Sequence, residues 1–161
     1  MQISANGLEL IRQSEGFRAT TYKDIAGIPT IGYGHRIETH GALPAAITQA
    51  QAETLLARDV AIAEQSVASL VRVPLMQGQF DALVDFVFNL GSGRLTGSTL
   101  LRVLNGGKYN LAAAQLLLWD HCDGKVNSAL SRRRHAEFQL FTTPETPAVS
   151  PAQPLHLLAS Q

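Results

Sequence analysis

Apolar residues recur every three or four positions along most of this chain, a spacing that predicts amphipathic helices. The clearest case lies within residues 76–90, where five residues share one helical face: Phe80, Leu83, Val84, Val87 and Phe88. Their i, i+3, i+4, i+7 and i+8 positions predict a helix that packs one side into the core. We expect Gly91 and Gly93 to end this helix.

A long helix is predicted over residues 48–70. Thr48 and Gln51 have the spacing of a capping box, in which each side chain bonds the backbone of the other residue. The apolar residues that follow at helical spacings are Ala52, Leu55, Leu56, Ala63, Val67 and Leu70. A helix of this length can join two lobes of a small protein.

Capping residues and glycines indicate four further helices. The first begins after Ser4 and ends at Gly16, with Leu8, Leu10 and Ile11 as its apolar stripe. In the second half of the chain we expect three helices: a short one from Ser98 or Thr99 to Leu104, an apolar one over about 110–122 that ends near Trp119, and a last one over about 128–141.

Residues 18–37 interrupt the helical pattern. The segment is rich in Thr, Tyr and Ile and is broken by Gly27, Pro29, Gly32 and Gly34, which favours a small twisted sheet. Residues 41–44 are predicted to form a loop. Four of the seven prolines fall in residues 144–161, so this segment is predicted to be an extended tail.

Composition adds limits on the class of protein. The chain has 161 residues, of which 45% are hydrophobic and 16% charged, as expected of one globular domain with a real core. No apolar run approaches the roughly 20 residues of a membrane-spanning helix. Cys122 is the only cysteine, so no internal disulfide can form. Residues 1–4 lack the basic and apolar regions of a secretory signal, so ordinary export is not expected.

Charge balance argues against binding to nucleic acid along the whole surface. The thirteen basic and thirteen acidic residues cancel. Residues 1–85 hold six basic and nine acidic residues, whereas residues 86–134 hold seven and two. The basic part can face an anionic polymer or simply present a solvated surface.

Two acids and a threonine suggest hydrolysis of a glycosidic bond. Glu15 closes the first helix, Asp24 begins a turn, and Thr30 follows six residues later. Glycosidases use two carboxyl groups, one that protonates the leaving oxygen and one that activates water or attacks the sugar. Spacing alone leaves the ordinary alternative, a surface glutamate and a turn aspartate, the more frequent one.

Longer motifs favour the enzymatic interpretation. The stretch EGFRATTYKDIAGIPTIGYGH, from Glu15 to His35, resembles the catalytic stretch of the phage-type lysozymes, the endolysins of glycoside hydrolase family 24. Further similarity lies in QFDALVDFVFNLG at 79–91, STLLRVLNG at 98–106, Trp119, and LSRRRHAEFQLF at 130–141. Two places differ from the usual pattern: residues 120–124, and Ala129-Leu130 before the arginines.

The resemblance implies an α+β, lysozyme-like fold that is mostly helical. A single domain would span residues 1–143, with a small antiparallel sheet in an N-lobe at 1–47. A connecting helix at 48–70 would lead to a helical C-lobe at 71–143, with a cleft between the lobes. Residues 144–161 would lie outside this domain.

The resemblance also implies roles for individual residues. Glu15 matches the general acid, Asp24 the second catalytic carboxylate, and Thr30 the residue that positions the attacking water. Arg133 matches a partner of the acid, with Arg132 and Arg134 leaving the register open by one residue. A supporting role is implied for His35, and glycan contacts for Phe88, Asn89 and Gln115. Phe88 also fits the core stripe, and Trp119 suits the core better than a sugar platform.

The implied function is an endolysin that hydrolyses the β-1,4 bond between N-acetylmuramic acid and N-acetylglucosamine with inversion. No cofactor is implied. Its partners would be peptidoglycan glycan strands, without nucleic acid and without stable membrane insertion, and the protein would be a monomer. It would stay in the host cytoplasm until a holin releases it to the periplasm and cell wall. The alternatives are a lytic transglycosylase and a non-catalytic glycan-binding module.

No metal site is expected from the sequence. His121, Cys122 and Asp123 are adjacent along the chain and cannot all face one ion, while His35 and His40 lack further ligands at a usual spacing.

Overall fold

The structure is a computed structural model that describes residues 1–24, 27–37 and 45–144. The predicted loop at 41–44, His40 and the predicted tail after Pro144 lie outside the described residues. Within these ranges the chain forms seven helices and two small sheets. The helices are α1 Ala5–Glu15, α2 Gln49–Leu70, α3 Gln77–Leu90, α4 Ser92–Thr96, α5 Thr99–Asn105, α6 Tyr109–Leu116 and α7 Ser128–Thr142.

The larger sheet has the strand order β1-β2-β3 and is antiparallel, with β1 Arg18–Lys23, β2 Pro29–Gly32 and β3 His35–Arg36. Thr30 lies in the middle strand, opposite Tyr22 of β1 and Arg36 of β3. The β-branched and aromatic residues of this segment therefore form the predicted sheet, and the fold class is confirmed as α+β with a small antiparallel sheet.

Capping explains where the first two helices begin. The Ser4 hydroxyl accepts a hydrogen bond from the Gly7 amide, and Gly16 ends α1 as predicted. Thr48 and Gln51 form the predicted capping box at the start of α2. Ala52, Leu56, Ala63 and Val67 are buried as expected, together with Val60, which the sequence pattern missed.

Helix α3 lies at the centre of the helical part. All nine residues at 79–87 are buried, because α1, α2 and α7 pack around this one helix. Helix α1 therefore precedes the sheet in sequence but packs with the C-terminal helices. The division into lobes at 1–47, 48–70 and 71–143 remains a prediction.

The helix predicted over 110–122, with its end near Trp119, is too long. Helix α6 ends at Leu116, and His121–Cys122 (β4) pairs with Lys125–Val126 (β5). Asp123 and Gly124 make the turn with φ of 50° and 75°, a conformation that Asp-Gly adopts readily in tight hairpins. This local turn chemistry prevails over the apolar pattern.

Gly91 ends α3 as predicted, whereas Gly93 lies inside the short helix α4.

None of the helices in the described part of the chain is long and apolar enough to cross a membrane.

Candidate active site

An open cleft of about 1210 Å³ lies between the sheet, helix α2 and the end of α3. The sheet side contributes Glu15, Asp24 and Thr30. The opposite side contributes Asp59 of α2 and Phe88 and Asn89 of α3. Residues separated by some seventy positions in the sequence therefore face the same cavity.

Glu15 enters the cleft as the last residue of α1. Its side chain is 22% exposed, and its Oε1 lies 2.6 Å from Nη1 of Arg133. The turn between β2 and β3 passes close to the other oxygen, since a Cβ added at Gly34 would lie 3.1 Å from Oε2. Gly34 has φ of 84°, so both its conformation and its surroundings favour glycine.

Asp24 follows β1 and organises the turn to β2. Its Oδ1 accepts a hydrogen bond of 2.8 Å from the Ile28 amide, and its backbone N–H donates to the Ile28 carbonyl at 2.9 Å. Its Oδ2 lies 3.0 Å from Nη2 of Arg36. The carboxylate is therefore held in a fixed direction on the wall of the cleft.

Thr30 borders the cleft although it is 2% exposed. Its hydroxyl donates a hydrogen bond of 2.9 Å to the carbonyl of Ile28. Because its single hydrogen is used in this way, the oxygen can only accept a hydrogen bond from a molecule in the cleft.

Tyr22 is a cleft residue that sequence reasoning missed. It lies opposite Thr30 in the sheet, and the guanidinium of Arg18 stacks 4.8 Å from the centre of its ring. Burial raises the pKa of Tyr22, and the negative charges of Glu15 and Asp24 raise it further. The signal was present in the motif, where Tyr22 stands two residues before Asp24.

His35 supports the sheet side of the cleft. Its Nδ1 lies 2.8 Å from Oδ2 of Asp59 on α2, and both residues line the cavity. This pair joins β3 to α2 beside the contact that β2 makes with the same helix.

Arg133 connects Glu15 to a buried aspartate that the sequence analysis did not single out. Its Nε and Nη2 donate to the two oxygens of Asp85 at 2.9 and 2.8 Å, and its Nη1 donates to Glu15. Burial lowers the pKa of Arg133, but Asp85 and then Glu15 outweigh it and leave the pKa above its usual value. The register question is thereby answered: of the three arginines, Arg133 contacts Glu15.

The next arginine contacts another part of the cleft. Nη2 of the fully buried Arg134 donates to Oδ1 of Asn89 at 3.0 Å and to Oε1 of Glu137 at 2.5 Å. Its guanidinium also lies 5.1 Å from the ring centre of Phe86, which favours the cation. Burial nevertheless lowers the pKa of Arg134. Consecutive arginines of α7 thus hold the acid and the amide of one cleft.

Glu137 completes this buried charge cluster. Burial raises the pKa of Glu137 well above its usual range, and the negative charge of Asp85 adds to the effect. The contact with Arg134 would also fit an ion pair. Burial and the neighbouring negative charge of Asp85 both favour the neutral form of Glu137.

Two predicted glycan contacts line the cleft and one does not. Phe88 and Asn89 border the cavity, whereas Gln115, half-buried on α6, is not among its lining residues. Trp119 packs edge-on against Phe86, with ring centres 5.3 Å apart, in keeping with a core position. Among the described residues, no three His, Cys, Asp or Glu side chains are placed to hold a metal ion.

Comparison with known proteins places this chain in a family. Residues 12–137 match the family model described as phage lysozyme. The endolysin of Salmonella phage P22 is 44% identical over 144 residues, which cover 88% of this chain and 98% of that protein. The endolysin of Bacillus phage B103 is 42% identical over 153 residues, covering 93% of this chain but 57% of that longer protein.

A solved structure agrees with these matches. The muramidase domain of SpmX from Asticaccaulis excentricus superposes with a TM-score of 0.81 at 38% identity, covering 89% of this chain and 99% of that one. Sequence and structure comparisons therefore point to the same group of proteins.

Proposed function

The chain belongs to the phage lysozyme family, and we propose that it cleaves the β-1,4 bond between N-acetylmuramic acid and N-acetylglucosamine of peptidoglycan with inversion. As a member of this family it is a glycoside hydrolase. The observation that carries the proposed mechanism is that Glu15, Asp24 and Thr30 line one cleft.

In this proposal Glu15 donates a proton to the glycosidic oxygen. Arg133 can only donate hydrogen bonds, so the oxygen that it contacts, Oε1, must remain an acceptor. The proton is therefore carried by Oε2. A carboxylic acid in this position supplies roughly 10²- to 10⁴-fold of rate acceleration.

Asp24 and Thr30 are proposed to hold the attacking water. The Thr30 oxygen is restricted to accepting by its bond to Ile28, and a carboxylate is an acceptor as well. A water that donates one hydrogen to each presents a lone pair to the anomeric carbon, and Asp24 takes the proton as the bond forms. Attack by water on the face opposite the leaving group inverts the configuration.

Asn89 is proposed to bind an N-acetyl group. Arg134 occupies its Oδ1, which fixes the amide so that the NH₂ group is the remaining donor. The carbonyl of an N-acetyl group is a matching acceptor. Phe88 offers an apolar surface beside it, and a contact from Gln115 stays a prediction.

The end groups of the product test the reaction. Purified peptidoglycan digested by the enzyme should yield fragments with reducing ends, and proton NMR during digestion should show the inverted anomer first. Glu15→Gln should lower the rate at least about 10²-fold, because an amide has no proton to give. Glu9→Gln, on the same helix and 54% exposed, is the matched control and should retain full activity.

The alternatives give different products. Anhydro ends would show a lytic transglycosylase, and binding without cleavage would show a glycan-binding module. A Glu15→Gln enzyme that keeps its activity would contradict the assigned acid.

We place this activity in host cell lysis at the end of a phage cycle, as the names of the endolysin relatives suggest. Storage in the host cytoplasm, release by a holin and a monomeric state are further proposals that rest on the family resemblance. Fractionation of cells that express the protein with and without a holin would test the first two.

A further inference from the structure

Asp85 is a buried acid that the proposed chemistry does not yet use. It lies on α3 within the nine consecutive buried residues at 79–87 and is 0% exposed. An unpaired carboxylate at such a depth is strongly unfavourable, so its partner determines whether it can be tolerated. That partner is Arg133, which bonds both of its oxygens.

The geometry of this contact fixes the direction of the guanidinium. Two parallel hydrogen bonds along the Nε and Nη2 edge allow a single orientation of the planar group. In that orientation Nη1 is directed at Glu15, 2.6 Å away. Without the edge contact, the same arginine could rotate about its side-chain torsions and still remain close to Glu15.

We propose that Asp85 is a positioning residue of the reaction: through its two-point contact with Arg133, it sets the orientation of the guanidinium that holds the acid Glu15. This inference rests on the proposed function. It extends the active site to a residue of the central helix that has no place in the cleft itself. Asp85 acts through Arg133 and touches no substrate.

The chain supplies a matched control one helical turn away. Asp81 also lies on α3 and is 1% exposed. Its two oxygens accept hydrogen bonds from the backbone N–H and the hydroxyl of Ser4, the residue that caps α1. The replacement Asp81→Asn therefore removes a buried, doubly bonded carboxylate of the same helix. It does so at the N-terminal end of α1, away from Glu15.

The first test compares kcat and KM of Asp85→Asn and Asp81→Asn on purified peptidoglycan. The assay contains no urea and uses a temperature at which both variants are fully folded. We expect Asp85→Asn to lower kcat at least about tenfold with KM nearly unchanged, since a small misplacement of a catalytic group has large effects on rate. Asp81→Asn should stay within about twofold of the wild type, whatever stability it loses.

The second test is the pH profile of kcat. The titratable groups that interact with Arg133, Asp85 or Glu15 are Tyr22 of β1, which faces Glu15, and Arg134 and Glu137 of α7. In Asp85→Asn the positive charge of Arg133 is no longer offset by an aspartate, so the electrostatic potential at the acid becomes more positive. The alkaline limb of the profile should therefore move to lower pH, whereas Asp81→Asn should leave it in place.

A double-mutant cycle shows whether the effect passes through Arg133. In an Arg133→Met background, adding Asp85→Asn should lower kcat by less than about twofold. If the wild type is active and the two aspartate variants have equal kcat and equal pH profiles, the inference about Asp85 is overturned while the proposed function stands. Inactive wild type would overturn the proposed function and this inference with it.

Discussion

The replacement Gly34→Ala tests how closely Glu15 must be placed. A methyl group at this position would lie 3.1 Å from Oε2 of Glu15, whereas ordinary contact begins at 3.4 Å. Since the other oxygen is held by Arg133 at 2.6 Å, Oε2 has to move by about 0.3 Å or the contact with Arg133 must lengthen. A displacement of 1 Å can cost about 10²-fold in rate, so a shift of this size should lower kcat about 3- to 10-fold.

Backbone strain has to be separated from this contact. Gly34 has φ of 84°, where an alanine costs roughly 1–2 kcal/mol. Gly107 has φ of 74°, and a Cβ there meets no atom within 4 Å. Gly107→Ala, in the turn between α5 and α6, should therefore carry a similar loss of stability without any effect at the active site.

Two measurements decide this prediction. Urea unfolding should give similar losses for Gly34→Ala and Gly107→Ala, while initial rates of reducing-end release should fall for Gly34→Ala alone. Equal kcat in both variants would refute the reasoning, because Glu15 would then tolerate displacement. A loss of stability in Gly34→Ala larger by more than about 1 kcal/mol would show that the fold, and not the acid, absorbs the contact.

Two further predictions concern buried groups. Thr30→Val keeps the shape of the side chain but removes the acceptor for water, so kcat should fall about 10- to 100-fold with KM unchanged. Thr54→Val, on the exposed side of α2, serves as the control. An unchanged kcat for Thr30→Val would remove Thr30 from the mechanism. The pKa of Glu137 is raised in the folded protein. At pH values above the ordinary pKa of 4.5, the folded protein therefore binds more protons than the unfolded chain. The contribution of Glu137 to stability is lost as pH rises through its folded pKa. Glu137→Gln should therefore flatten the decline of the unfolding free energy as pH rises above 4.5 in urea titrations, and identical slopes would contradict the raised pKa of Glu137.

Local sequence patterns predicted most of the helices because their causes lie within a few residues. Ser4 and Gly16 bound α1, and the capping box of Thr48 bounds α2, through hydrogen bonds made inside the same turn. Asp123-Gly124 is also a local signal, since this pair favours a tight hairpin turn. The apolar spacing of the residues before it favoured a helix instead. The error was therefore one of competing local signals.

The sequence predicted only part of the candidate active site. The motif from Glu15 to His35 named the residues that line one side of the cleft, since they are close in sequence and in space. The buried aspartate that holds Arg133 was not predicted, because it lies 48 positions away and its apolar neighbours suggested a simple core helix.

By itself, then, the sequence determined most of the helix ends, the small sheet, the family resemblance and the identity of the candidate acids. The tertiary structure decided which of three successive arginines reaches Glu15, that Asp85 bonds that arginine through both of its oxygens, and that Gln115 is not among the residues that line the cavity. The physical reason is that capping and periodicity act within one or two turns. Pairing between buried charges depends instead on how α1, α3 and α7 pack, which spacing along the chain does not specify.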